Sequence, residues 1–129
     1  MKSVTTAAAP QPAGHYSQAV VHGGFVFVAG QLPLDPATGA VVGEGDIAGQ
    51  ARQTLANVGA ILDAAGSGFD RVTSMTIYVT SHSHWAEVNR VYAEVLGEHR
   101  PARAIVPVGE LKLGCLLEIQ AVAAVSPDL

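Results

Sequence analysis

Helical periodicity is confined to two stretches of this chain, and β-type sequence flanks both. Ile47, Ala51, Leu55, Val58, Ile61, Leu62 and Ala65 recur at i, i+3/i+4 spacing, with Asp46 placed as an N-cap and Gly66 as the stop. The second stretch starts at Ser81 or Ser83 and runs to about Leu96, with Trp85, Val88, Tyr92, Val95 and Leu96 as its apolar stripe and Asn89 inside that stripe. Strands are predicted over Ala19–His22, Phe25–Ala29, Val72–Thr80, Pro101–Val108 and Leu116–Val125, and Gly23-Gly24 reads as a hairpin turn between the first two. Phe25–Ala29 is apolar on both faces and is predicted buried; Pro101–Val108 reads as a buried strand carrying a single charge. The order ββαβαββ predicts an α+β two-layer sandwich, a mixed sheet with two helices on one face. Residues 1–129 form one domain, with residues 1–12, rich in Ala, Pro and Thr, as an irregular N-terminal segment.

A sheet with helices on one face leaves the other face to be covered. Only 14% of residues are charged and 49% are hydrophobic, so that face is expected to be buried between subunits of a symmetric oligomer. The net charge of -4 and the absence of a basic stripe speak against a nucleic-acid surface. Cys115 is the single cysteine, so no internal disulfide forms, and its neighbours supply no base for a thiolate nucleophile. His82 and His84 lack an acidic or thiol ligand beside them, so no metal site is expected. No apolar run reaches membrane-spanning length and Met1–Pro12 does not resemble a secretory signal, which predicts a cytoplasmic protein without a membrane partner. P-loop, dinucleotide and Gly-x-Ser-x-Gly motifs are absent.

Arg103 is the only ionisable residue between Pro101 and Val108. A guanidinium cannot shed its proton, so among aliphatic neighbours it meets a carboxylate of the chain or that of a small substrate, or else sits at the strand mouth and reaches water. Glu118 is similarly isolated among Leu116, Leu117, Ile119 and Ala121. It either pairs with Arg103 across a hairpin or holds and deprotonates a water. Gly30-Gln31 ends a strand where a backbone can approach a ligand closely. Tyr16 offers a ring and a hydroxyl, and Asn89 needs hydrogen-bond partners if buried.

These residues sit in segments that together resemble the RidA (YjgF) family of enamine/imine deaminases. The segments are Gly14-His15-Tyr16-Ser17-Gln18-Ala19-Val20, Ala29-Gly30-Gln31-Leu32-Pro33, Asp35-Pro36-x-Thr38-Gly39, Gln50-x-x-Gln53-x-Leu55-x-Asn57, Val88-Asn89-x-Val91-Tyr92, Pro101-Ala102-Arg103 and Glu118-Ile119. The resemblance spans about Gly14 to Ala123. It implies a chorismate-mutase-like fold and a homotrimer with its sites in clefts between subunits. It also implies hydrolysis of 2-enamino or 2-imino acids, such as 2-aminoacrylate and 2-iminopropanoate, to a 2-keto acid and ammonia, without a cofactor. Arg103 is implied to hold the substrate carboxylate, with Tyr16, Gly30, Gln31, Asn89 and Glu118 in or around the same cleft; a physical account of the reaction then expects Glu118 to position or activate a water, and backbone groups near Gly30 and around Ile105 to stabilise the developing charge. His15, Ala29, Ile105 and Lys112 depart from the family's usual proline, serine, cysteine and proline; Ala29 and Ile105 make the pocket more apolar. Two other readings compete: a non-catalytic trimer that binds small carboxylates, and an RNA-cleaving or translation-inhibiting activity attributed to some relatives. The retained arginine argues against the first and the net charge against the second.

Overall fold

The computed structural model describes residues 1–126. The strands are β1 (Lys2–Val4), β2 (Ala19–His22), β3 (Phe25–Gln31), β4 (Val72–Val79), β5 (Ala102–Pro107) and β6 (Leu117–Ala124), and the helices are α1 (Ile47–Ala64) and α2 (Trp85–Leu96). The α+β class and the two-layer arrangement follow the sequence expectation, with one six-stranded sheet in the order β1-β2-β3-β6-β4-β5. Among the described residues only β4 and β5 run parallel, and the other pairings are antiparallel. Among the described residues no helix is long and apolar enough to cross a membrane.

Local chemistry explains most element ends. Gly23 and Gly24 both take positive φ, 61° and 83°, which is what a two-residue turn between His22 and Phe25 demands. Helix α1 ends in a Schellman motif: Ser67 N–H donates to Leu62 O at 2.8 Å and Gly66 N–H to Asp63 O at 3.0 Å. Asp46 occupies the N-cap position but makes no side-chain cap hydrogen bond. Ser81 instead caps the short turn before α2, accepting from Ser83 N–H.

The core lies between the helices and one sheet face. Ala51, Leu55, Val58, Ile61 and Leu62 of α1 and Val88, Val91, Tyr92 and Leu96 of α2 pack on Val26, Val28, Met75, Ile77, Val79, Leu117 and Ile119. Val91 thus joins the α2 stripe, while Trp85 and Val95 stay exposed at its margin.

Four expectations are corrected. The first twelve residues are not wholly irregular: Lys2–Val4 adds a strand to β2, and the Gln18 side chain ties down residues 6–10. Gln18 Oε1 accepts from Thr6 N–H at 2.7 Å and its Nε2 donates to Thr6 O and Pro10 O at 3.0 and 2.9 Å. Strand β3 is buried on one face only; Phe25 and Phe27 are 40% and 48% exposed on the helix-free face. Strand β5 is not buried, because it is the sheet edge, paired among the described residues with β4 alone. Last, β5 and β6 do not form a hairpin. Strand β6 inserts between β3 and β4, so β4 separates Arg103 from Glu118.

Candidate active site

Strand register decides which side chains can meet. Arg103 is level with Met75, and Ile77 is level with both Ile105 and Ile119, which sets these residues on the helix-covered face. Glu118 is level with Tyr78, whose hydroxyl donates to Gln120 Oε1 at 3.0 Å on the helix-free face. Side chains alternate along strands. Arg103 and Glu118 of one chain therefore point to opposite sides of the sheet, and an ion pair between them within one chain is ruled out by geometry.

The arginine side is built by α2. Arg103 Nη1 donates to Asn89 Oδ1 at 2.8 Å, and its guanidinium lies 4.8 Å from the Tyr92 ring centroid and 5.8 Å from that of Trp85. Trp85, Asn89 and Tyr92 fall at i, i+4 and i+7, one face of one helix, so the helical repeat itself delivers the three contacts. The Tyr92 side chain is only 6% exposed, and its hydroxyl has no hydrogen-bond partner. Burial pushes this phenol's pKa up, opposed by the Arg103 charge. The ion pairs among the described residues are Arg52–Glu94, Arg90–Glu87 and Arg90–Glu94. None includes Arg103, and a cleft of about 480 Å³ opens beside it, walled by Asn89, Tyr92, Leu96, His99, Arg100 and Pro101 among others.

The glutamate side is built by β6 and the end of β3. A Cβ added to Gly30 would fall inside the Glu118 carboxyl, with Glu118 Cδ only 3.0 Å from it, so glycine is what lets the carboxyl rest on the β3 backbone. Burial pushes the Glu118 carboxyl above its ordinary value. Gly30, Gln31 and Tyr16 line a second cleft of about 380 Å³, closed by the 32–39 loop and by Lys112 and Leu113. Gln31 is buried and donates to Ala29 O at 3.1 Å, whereas Tyr16 is 53% exposed.

The predicted residues thus separate: Arg103 meets Asn89, Glu118 meets Gly30, and Gly30, Gln31 and Tyr16 share a cleft whose lining does not include Glu118. Ile105 lines neither cleft; its side chain packs against the core. Cys115 is buried, and burial followed by the nearby Glu118 charge raises its thiol pKa, which keeps it protonated and inert. No cluster of three His, Cys, Asp or Glu suited to a metal exists among the described residues.

Sequence reasoning missed three structural supports. Asn57 Nδ2 donates to Leu32 O and Leu34 O at 3.0 and 2.9 Å, and Gln50 bridges Gly43 O and Leu116 N–H, so α1 holds the loop that closes the Gly30 cleft. Both are polar residues buried in a helix, a signal visible as Gln50 and Asn57 falling on or beside the apolar stripe. Tyr92 reads as a core residue in the sequence; its role as the surface under Arg103 appears only when β5 is placed beside α2.

Comparison with known proteins shows the family. Residues 6–125 match the family model described as Endoribonuclease L-PSP. A RutC family protein of Pyrococcus horikoshii is 48% identical over 95% of this chain and 98% of its own length. The 2-iminobutanoate/2-iminopropanoate deaminase of Bos taurus is 40% identical over 98% of this chain and 91% of its own. The crystal structure of E. coli TdcF with bound serine superposes with a TM-score of 0.92 at 38% identity, covering 98% of this chain and all of that one. On the family match over residues 6–125, and on relatives 38–48% identical over nearly the whole chain, the chain belongs to the RidA (YjgF) family, to which the L-PSP model corresponds.

Proposed function

We propose that this protein hydrolyses 2-imino and 2-enamino acids to 2-keto acids and ammonia. The observation that carries the reading is the state of Arg103: held by Asn89 and Tyr92, engaged by no carboxylate of its own chain among the described residues, and open to a cleft. A guanidinium fixed on one edge and one face keeps its remaining N–H groups for a bidentate carboxylate. The Bos taurus relative, named for this reaction, supports the same assignment.

In this mechanism Arg103 clamps the substrate carboxylate and so orients the adjacent C=N carbon. The nitrogen enters protonated, which makes that carbon electrophilic without a metal or organic cofactor. Glu118 accepts a proton from water as the water oxygen bonds to the carbon, giving a carbinolamine. The carboxyl then returns the proton to the amine nitrogen, the C–N bond breaks, and ammonia leaves as the hydroxyl gives its proton to the regenerated Glu118 carboxylate and becomes the keto oxygen. Burial that raises the Glu118 pKa makes it a stronger base once ionised.

Arg103 and Glu118 of one chain face opposite sides of the sheet, so one copy cannot bring both to one carbon. A second copy supplies the missing half. We therefore assign the working form to a homotrimer with sites between subunits. The uncovered face carrying Phe25 and Phe27 and the free edge of β5 are surfaces such an assembly covers. The net charge of -4 disfavours the RNA chemistry that the L-PSP description names.

The test is release of ammonia and pyruvate from 2-iminopropanoate generated in place by an amino-acid oxidase, with the solution mass measured in parallel. Decay of the imine at the buffer rate defeats the deaminase assignment. A monomer that is fully active defeats the shared site.

A further inference from the structure

The cleft beside Arg103 is larger and more basic than a small monocarboxylate needs. On the single chain, before a second copy closes over it, the cleft of about 480 Å³ has room for more than the six heavy atoms of 2-iminopropanoate. The lining includes Arg103, Arg100 and His99 and no aspartate or glutamate, in a chain whose net charge is -4. His99 is committed: its Nε2 lies 2.7 Å from the Val72 carbonyl oxygen, which can only accept, so that nitrogen must donate. Arg100 is exposed and takes part in none of the ion pairs among the described residues. It precedes Arg103 by three residues, just before β5 begins, and both arginines line the same cleft.

We propose that the Arg103 cleft is a two-cation site that favours imino acids carrying a second, distal carboxylate, with Arg100 as the anchor for that group. The proposal rests on the deaminase reading only for its substrates; binding of the corresponding keto diacids follows from the site alone. Arg103 takes the carboxylate next to the reacting carbon. The apolar wall of Tyr92, Leu96 and Pro101 accommodates the intervening methylenes, and Arg100 meets the far end. An exposed cation is screened by salt, so its contribution is modest and falls with ionic strength.

The experiment compares wild type, Arg100→Ala and Arg100→Glu on imines generated from alanine and from glutamate. It also titrates pyruvate and 2-oxoglutarate by calorimetry at low and high salt. Expected are a KM about three- to tenfold lower for the diacid imine in wild type and loss of that difference in Arg100→Ala, the diacid imine losing more than the alanine-derived imine. Arg100→Glu reverses the preference, and high salt weakens 2-oxoglutarate more than pyruvate. Equal KM values in wild type, or equal losses on both substrates in Arg100→Ala, overturn the proposal. If neither imine is turned over, the deaminase reading fails and the calorimetry decides alone: 2-oxoglutarate binding that depends on Arg100 sustains the two-cation site, and its absence rejects it.

Discussion

Replacing Arg103 tests the site most directly. The side chain makes one hydrogen bond to Asn89 at 2.8 Å and stacks on Tyr92 at 4.8 Å, so Arg103→Ala forfeits about 1 kcal/mol for the first and about 0.5–1 kcal/mol for the second. Against a domain stability of about 5–15 kcal/mol the variant stays folded. The loss to catalysis is larger. Two charge-assisted hydrogen bonds to the substrate carboxylate, at about 1.5–3 kcal/mol each, amount to about 3–6 kcal/mol, or about 10²- to 10⁴-fold in kcat/KM. Arg103→Lys keeps the charge but not the fork or the Asn89 geometry, and should recover about tenfold of that loss. The assay is oxidase-generated 2-iminopropanoate trapped by semicarbazide, with circular dichroism confirming the fold. A folded Arg103→Ala protein that clears the imine within threefold of wild type refutes the carboxylate clamp.

Three further outcomes concern neighbouring residues. Glu118→Gln should abolish turnover yet stabilise the fold at neutral pH. Burial raises the Glu118 pKa above 4.5, so the folded state favours the protonated carboxyl, and stability falls as pH rises from 4.5 through the folded pKa. The melting-temperature gain of Glu118→Gln should therefore be present at pH 7 and vanish below about pH 4.5; a gain of equal size at both ends contradicts the burial argument. Tyr92→Phe removes a buried hydroxyl with no partner and keeps the ring under Arg103, so it should retain activity at equal or higher stability, whereas Tyr92→Leu should raise KM more than it lowers kcat; steady-state kinetics on both variants decides. Gly30→Ala drives a methyl group into the Glu118 carboxyl, which can swing aside, so the fold should survive while kcat falls at least tenfold; unchanged kcat would detach Glu118 from the chemistry.

Particular residues show how far reading the chain could go. The α1 stripe from Ala51 to Leu62 packs as its spacing predicts, because helical period is local. Arg103 and Glu118 stand out for the same reason: an isolated charge in an aliphatic run is visible without knowing its neighbours. Asn89 is marked as a polar residue in an apolar stripe, and the structure gives it Arg103 as a partner. Phe25 and Phe27 mislead, since a strand apolar on both faces reads the same whether a helix or another subunit covers it. The N-terminal strand escapes notice because three residues in an Ala-, Thr- and Pro-rich segment carry no period, and its order comes from β2 and from Gln18.

The sequence by itself determined the elements, their order, and which charged groups had no local reason to exist; each of these depends on residues a few positions apart. Tertiary structure alone decided that β6 enters between β3 and β4 instead of returning beside β5. Period-two alternation assigns side chains to two faces but names no neighbouring strand, because pairing is a contact between segments distant in the chain. With that insertion Arg103 lies against α2 on one face of the sheet and Glu118 against Gly30 on the other.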